Sequence, residues 1–272
     1  MKVSNILSKR NKVLLRELVI TDFKLRYQDS VLGYAWSLLK PLFLFAIMYV
    51  VFVHFLRFGK GVPHFTSTLL LGIVLWTFFT ETVAQGMQSI VGRGDLLRKI
   101  NFPKYIIVVS ASLSALINLV FNLVVVFIIM AVDGVHLGWH ALLFPVTLLI
   151  LYGCSLSLAF LLSALYVKYR DLAPIWEIVT QALFYVTPII YPIQTVISYG
   201  GELAGKILML NPLAVLFQNA RAEVVGHENV VTAGQLSSNV IYLLIPYALM
   251  IIVAILAITY FRSRSSKFAE EI

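Results

Sequence analysis

Few side chains in this sequence are of a kind that does chemistry in apolar surroundings. Two carboxylates, Glu81 and Glu177, fall inside long apolar runs, where a charge is costly unless it faces protein or water. Each is a candidate for lining an aqueous conduit, and each is equally placed to lie near a helix end against a neighbouring helix. Nothing beside them looks like a nucleophile, an acid and base pair or a metal set. The five histidines are scattered, and His227 and Glu228 are followed by Asn229, Val230 and Val231, not by the second histidine of a zinc-binding helix. Cys154 is the only cysteine, which excludes an intrachain disulfide and a cysteine metal cluster. It sits in the small-residue run from Gly153 to Ala164 and reads as a packing thiol. Lys60 and Lys206 each follow a glycine, but Gly61 and Ile207 come next where a phosphate-binding loop needs Ser or Thr. No catalytic or metal site is expected, and energy for any driven process has to come from another chain.

The setting of these residues decides the class. Hydrophobic residues make up 60% and charged residues 12% of the 272, with a mean hydropathy of +0.90, far from the balance of a soluble domain. Six apolar stretches are long enough to cross a hydrocarbon core at about 20 residues each: 34–56, 66–88, 105–132, 141–167, 172–190 and 240–261. They are continuous and rich in Leu, Ala and Phe, unlike the short alternating segments of a β-barrel. The expected fold is an all-α integral membrane protein, one transmembrane domain over 1–272 with six transmembrane helices.

Basic residues set the orientation, because cytoplasmic loops retain Lys and Arg. Of the 21 basic residues, 16 fall on one side, in the N-terminal segment, the 92–104 loop, the 168–173 turn and the C-terminal tail. Arg57, Lys60, Lys206 and Arg221 fall on the other, and Lys40 snorkels from the start of the first span. Both termini are therefore expected in the cytoplasm. The net charge of +8 is accounted for by anionic lipid on the inner leaflet and calls for no nucleic acid. The first dozen residues are polar and basic with no apolar core directly behind them, so no cleavable signal peptide is expected.

The loops carry the remaining signal. Residues 13–28 have helical composition, with Leu14, Leu18 and Leu25 on one side and Arg16, Asp22 and Arg26 interrupting the stripe. This reads as an amphipathic helix in the headgroup zone, or as a plain basic anchor. Gly33 allows a turn after it, and Tyr34 and Trp36 suit the interface. The loop GRGDLLRKINFPK places Leu96, Leu97 and Phe102 beside four basic residues, as exposed apolar groups for docking a soluble partner or as a solvated connector. The Tyr166–Pro174 connection, with Arg170 next to Asp171, is a smaller docking element or a tight turn. The 191–238 region stays apolar in its middle, and Ile207–Phe217, broken at Asn211 and Pro212, is too short to span. It reads as a short re-entrant or interfacial helix pair before the last span, or as a small folded cap.

Four segments in order carry a family resemblance: FKLRYQDSVLGYAWSLLKPL at the first span, LLRKINFPK after the second, YRDL with TPIIYP around the fifth, and LNPLAVLFQNAR before the sixth. Together they resemble the membrane subunit of type-2 ABC exporters of polysaccharide, the O-antigen and teichoic-acid permease family, over about residues 14–262. Capsule and type-2 drug exporters share the same six-span plan. The resemblance implies a homodimer in the bacterial cytoplasmic membrane with two separate ATP-binding subunits, which would hold ATP and Mg; this chain would need no cofactor. It implies coupling to the ATPase through Arg93, Asp95, Leu96, Leu97, Arg98, Lys99, Asn101, Phe102 and Pro103, with Tyr169, Arg170 and Asp171 as the second contact. Arg26, Leu32, Gly33, Tyr34 and Trp36 become the mouth for a lipid-linked polysaccharide. Tyr191, Pro192, Asn211, Pro212 and Arg221 become the periplasmic gate. Phe43, Tyr49, Phe52, Glu81, Glu177 and Phe184 are conduit candidates, since aromatic faces let sugar rings slide without tight binding. Two other classes are weighed beside this one. A membrane-embedded enzyme of glycan assembly would need charged side chains converging at one membrane face, and an ion-coupled transporter would show internal repeats and broken midplane helices.

Overall fold

Every regular element among the described residues of the computed structural model is helical. The described residues are 9–27, 33, 35–57, 61–100 and 102–271, with the backbone alone at 23, 25–27, 37 and 269. Leu32, Tyr34, Asn101 and the Arg26 side chain lie outside them. The chain runs through α1 (Lys9–Tyr27) and α2 (Ala35–Met48), which is prolonged by a wider π-helical turn, Tyr49–Phe55. Next come α3 (Phe65–Gly92), α4 (Gly94–Lys99), α5 (Tyr105–Val132), α6 (Phe144–Lys168) and α7 (Leu172–Val186). It ends through α8 (Ile193–Leu208), α9 (Pro212–Val225), α10 (Ala233–Leu236), α11 (Val240–Arg264) and α12 (Phe268–Glu271).

Five of these helices, counting α2 with its π-helical extension, are long and apolar enough to cross a membrane, and a bent pair makes up to six. The pair is α8 with α9, which meet at 105°. Asn211 explains the break: it is extended (ψ 119°), as the residue before a proline prefers, and its Oδ1 accepts from Leu213 N to cap α9, with Pro212 in the first turn. A similar device shortens α7. Thr187 precedes Pro188 and is extended (ψ 132°), so the helix stops at Val186 and the rest of the 172–190 stretch is a turn. Gly33, between α1 and α2, has a φ of +47° and accepts at its carbonyl from Trp36 N, a left-handed turn that a residue without Cβ adopts at little cost.

α3 is the centre of the bundle and packs along α5 and α6, with α11 on the far side of α6 and α1 against α5. Its residues from Leu69 to Leu75 are wholly enclosed, whereas α2, α7 and α11 present broad apolar faces outward. A second apolar cluster lies at the basic end of the bundle, where Ile90, Ile106, Val167, Phe261 and Phe268 converge and Leu14, Leu15 and Leu18 of α1 pack on it. Leu97 and Phe102 belong to this cluster. They are 4% and 6% exposed, so the expectation that they stand free on the 92–104 loop is corrected: α4 folds back and buries them beneath α12. Leu96 is partly buried against the same cluster. A six-residue helix has one inward edge, and hydrophobic burial there outweighs exposure to water.

Candidate functional site

An aromatic cleft of about 410 Å³ lies between α2, α3 and α7. α3 supplies Trp76, Thr80 and Ala84, and α7 supplies Trp176, Thr180 and Phe184 on one ridge and Glu177, Gln181 and Tyr185 on the next. Each set steps by four residues, the spacing that stacks side chains along one helix face. Trp76 and Phe184 meet edge to face at 5.5 Å between ring centroids, and Phe79 supports Trp76 from behind at 5.5 Å. The hydroxyls of Thr80 and Thr180 donate to their own helices, to Thr77 O at 3.1 Å and Trp176 O at 2.7 Å. Glu177 and Gln181, both exposed, bring a carboxylate and an amide to the cleft beside the indole and phenol groups of its aromatic residues. Rigid aromatic faces with one carboxylate and one amide suit a polyhydroxylated ring, which stacks its C–H face and hydrogen-bonds at its rim.

Of the expected conduit residues, the structure brings Glu177 and Phe184 together here. Phe43 and Tyr49 are exposed on α2 and its extension, and Phe52 is partly buried against the core, but none of the three lines the cleft. Glu81 faces α5 instead, where its Oε1 accepts from Gln85 Nε2 at 2.7 Å and Asn118 Nδ2 at 2.9 Å. That makes it part of a half-buried polar network between α3 and α5. Nothing in the sequence marks Trp76, Trp176, Tyr185 or Gln181 beyond the four-residue steps 76-80-84, 176-180-184 and 177-181-185.

Above the cleft the five expected gate residues converge. Tyr191 Oη donates to Tyr185 O at 2.8 Å, tying the 187–192 turn to the last turn of α7. Asn211 Nδ2 donates to Thr187 Oγ1 at 3.1 Å, and Pro192 starts α8. Arg221 is fully enclosed and is the pin of the assembly. Its Nε donates to Thr68 O of α3 at 3.0 Å, Nη2 to Ile189 O at 2.8 Å, and Nη1 to Pro188 O and to Gln218 Oε1 at 3.0 Å. Gly72 lets the guanidinium through, because a Cβ there would overlap Arg221 Nη2. Farther out, His227 and His140 meet edge to face with ring centroids 4.4 Å apart. Burial, and then the charge of His140, lowers the pKa of His227.

At the opposite, basic end, α4 turns Asp95, Arg98 and Lys99 outward, and Ile100 just after it is exposed as well. The turn after α6 exposes Tyr169, Arg170 and Asp171, with Lys168 Nζ 5.1 Å from the Tyr169 ring centre and the Arg170 guanidinium 5.4 Å from that of Tyr166. Pro103 follows the buried Phe102 and precedes α5. Arg93 does not join the exposed group. It turns inward to Asp22 and Ser110, and burial lowers its pKa. Among the described residues no group of three or more His, Cys, Asp or Glu is placed to hold a metal ion.

Residues 13–224 match the family model described as ABC-2 type transporter. The O-antigen export system permease protein RfbA of Myxococcus xanthus is 29% identical to the chain over 95% of both. A Klebsiella pneumoniae protein of the same name is 26% identical over 93% of both, and another from that organism is 27% identical over 75% of this chain and 78% of its own. The matched stretch takes in the cleft, the gate residues and α4. With five to six helices fit to cross a bilayer, the chain is a multi-pass membrane permease and belongs to the ABC-2 type transporter family.

Proposed function

We propose that the chain is the channel-forming half of an ATP-driven exporter that carries a lipid-linked polysaccharide, O-antigen in the first instance, across the cytoplasmic membrane. The observation that carries this reading is the cleft of Trp76, Trp176, Phe184 and Tyr185 with Glu177 and Gln181 at its rim. It offers a sugar chain stacking surfaces and few hydrogen bonds, which favours passage over tight retention. The curated relatives are named for O-antigen export. Glu177 and Gln181 are exposed on a helix that also exposes Ile175, Ile178 and Val186. A carboxylate on that face is costly against lipid, which supports a second copy facing it, so that two clefts border one conduit.

The same reading assigns the ends. The basic end faces the cytoplasm by the distribution of Lys and Arg, with α1 in the headgroup zone and the Gly33 turn at the mouth. The chain lacks a phosphate-binding loop, so a separate ATP-binding subunit supplies hydrolysis and docks on the outward face of α4 and the Tyr169–Asp171 turn. The Arg221-pinned turn is the exit gate. Surface glycan in cells that depend on this chain tests the assignment. Trp176→Ala with Tyr185→Ala, which spares the buried Trp76, is expected to lower it by about tenfold, since ring stacking on one aromatic is worth ~1 kcal/mol or more. Insertion and ATPase association should be unchanged. Normal export by the double variant would remove the cleft from the path.

A further inference from the structure

Arg93 is the single residue between α3, which ends at Gly92, and α4, which begins at Gly94. Its backbone leaves the helical region at φ −120° and ψ 30°. Flanked by two glycines, this joint has little intrinsic stiffness, because residues without Cβ leave the backbone free to turn. A push on α4 would be absorbed there unless something else held it. One edge of α4 is fixed by Leu97 in the apolar cluster, and the joint itself is held by the Arg93 side chain. Unlike Arg98 and Lys99, it points into the protein and is 18% exposed, paired with Asp22 of α1, itself 22% exposed. Nη1 donates to Ser110 Oγ of α5 at 2.8 Å, and Ser110 Oγ in turn donates to Ile107 O at 2.8 Å, which leaves its lone pairs turned to the guanidinium. One planar, always-charged group thus ties α1, α5 and the α3–α4 joint. A cavity of about 410 Å³ beside it, lined by Gln85, Gln88 and Ser89, gives the side chain room to move as the joint bends.

We infer that Asp22 and Ser110 are positioning residues for Arg93, and that through them a movement of α4 is passed to the interface helix α1 and to α5 instead of being lost at the joint. This rests on the reading of α4 as the ATPase-docking helix. The effect is on coupling, not on assembly: the groups involved lie inside this chain and leave the outward face of α4 unaltered.

The test uses the complete exporter, this chain with its ATPase, and reads glycan exported per ATP hydrolysed together with ATPase association. Asp22→Asn is expected to keep the ATPase bound and hydrolysing while the ratio falls by about tenfold, within the usual range of coupling between sites. Ser110→Ala should lower it less. Exchanging the charges, Asp22→Arg with Arg93→Asp, should restore part of the ratio, because the ion pair between α1 and the joint returns while the bond to Ser110, whose proton goes to Ile107 O, does not. An unchanged ratio in Asp22→Asn, or an exchanged pair no better than the single variant, overturns the proposal, as does a fall explained by loss of the ATPase. Should Asp22→Asn fail to accumulate, Ser110→Ala decides, and an unchanged ratio there sinks the idea. The docking reading fails separately if Ile100→Asp still holds its ATPase as tightly as the unaltered chain.

Discussion

Leu97→Asp should prevent the protein from accumulating in its folded form. Leu97 is 4% exposed among Ile90, Ile106, Val167 and Phe268, so the change forfeits roughly 1.5 to 3 kcal/mol of apolar burial and adds the cost of a carboxylate with no partner. Together these are a large fraction of what holds a domain of ordinary stability, about 5 to 15 kcal/mol. Phe102→Asp, at 6% exposed in the same cluster, should act alike. A change on the opposite face of α4 should behave differently. Arg98→Ala with Lys99→Ala and Ile100→Asp alters outward side chains only, and the protein is expected to keep its melting temperature within a few degrees while losing the ATPase subunit. Detergent-solubilised protein run on size exclusion, with a thermal melt and a pull-down of the ATPase, separates the two. A well-folded Leu97→Asp protein that merely fails to bind would mean that this side chain faces the partner after all.

The second large effect is expected at Arg221. Arg221→Leu fills much of the space but leaves the carbonyls of Thr68, Pro188 and Ile189 without their donors. A buried acceptor left unpaired costs about 1 to 3 kcal/mol, so a loss of roughly 3 kcal/mol is expected after the guanidinium's own desolvation is credited back. Gly72→Ala should give a comparable loss by the opposite route, displacing an intact guanidinium from its carbonyls. In both variants the 187–192 turn should come free. With Cys154 replaced by Ala, a single cysteine placed at Ile190 should react with a membrane-impermeant maleimide several times faster in each variant than in the chain without the Arg221 or Gly72 change. Equal labelling in all three would show that Arg221 does not hold the turn.

Much of the architecture was legible because it follows from local signals. Apolar runs of transmembrane length mark their own helices, Asn211-Pro212 marks its own break, and Gly33 sits where the chain turns. What could not be read depends on residues far apart in sequence. A six-residue segment such as α4 makes fewer than two turns, too few for periodicity to tell its inward edge from its outward one, and the side chains that cover Leu97 include Phe261 and Phe268 from the far end of the chain. Arg221 counted, by charge alone, as one of the few basic residues on the outer side. Its enclosure rests on carbonyls supplied by Thr68, 153 residues away, and by the 188–189 turn. The cleft stood in plain view as four-residue steps on two helices, but only packing brings Trp76 and Trp176 to one wall.

The claim that this permease passes a glycan under ATP control is tested most directly in proteoliposomes holding the chain, its ATP-binding subunit and a lipid-linked polysaccharide. The polysaccharide is loaded on the face of the basic end and followed on the other with a lectin that cannot cross the bilayer. The account predicts ATP-dependent appearance of the polysaccharide at the far face, absent when the ATPase subunit is left out and strongly reduced by Trp176→Ala with Tyr185→Ala. Appearance without ATP or without the ATPase subunit, or the same rate from the double variant, would contradict it.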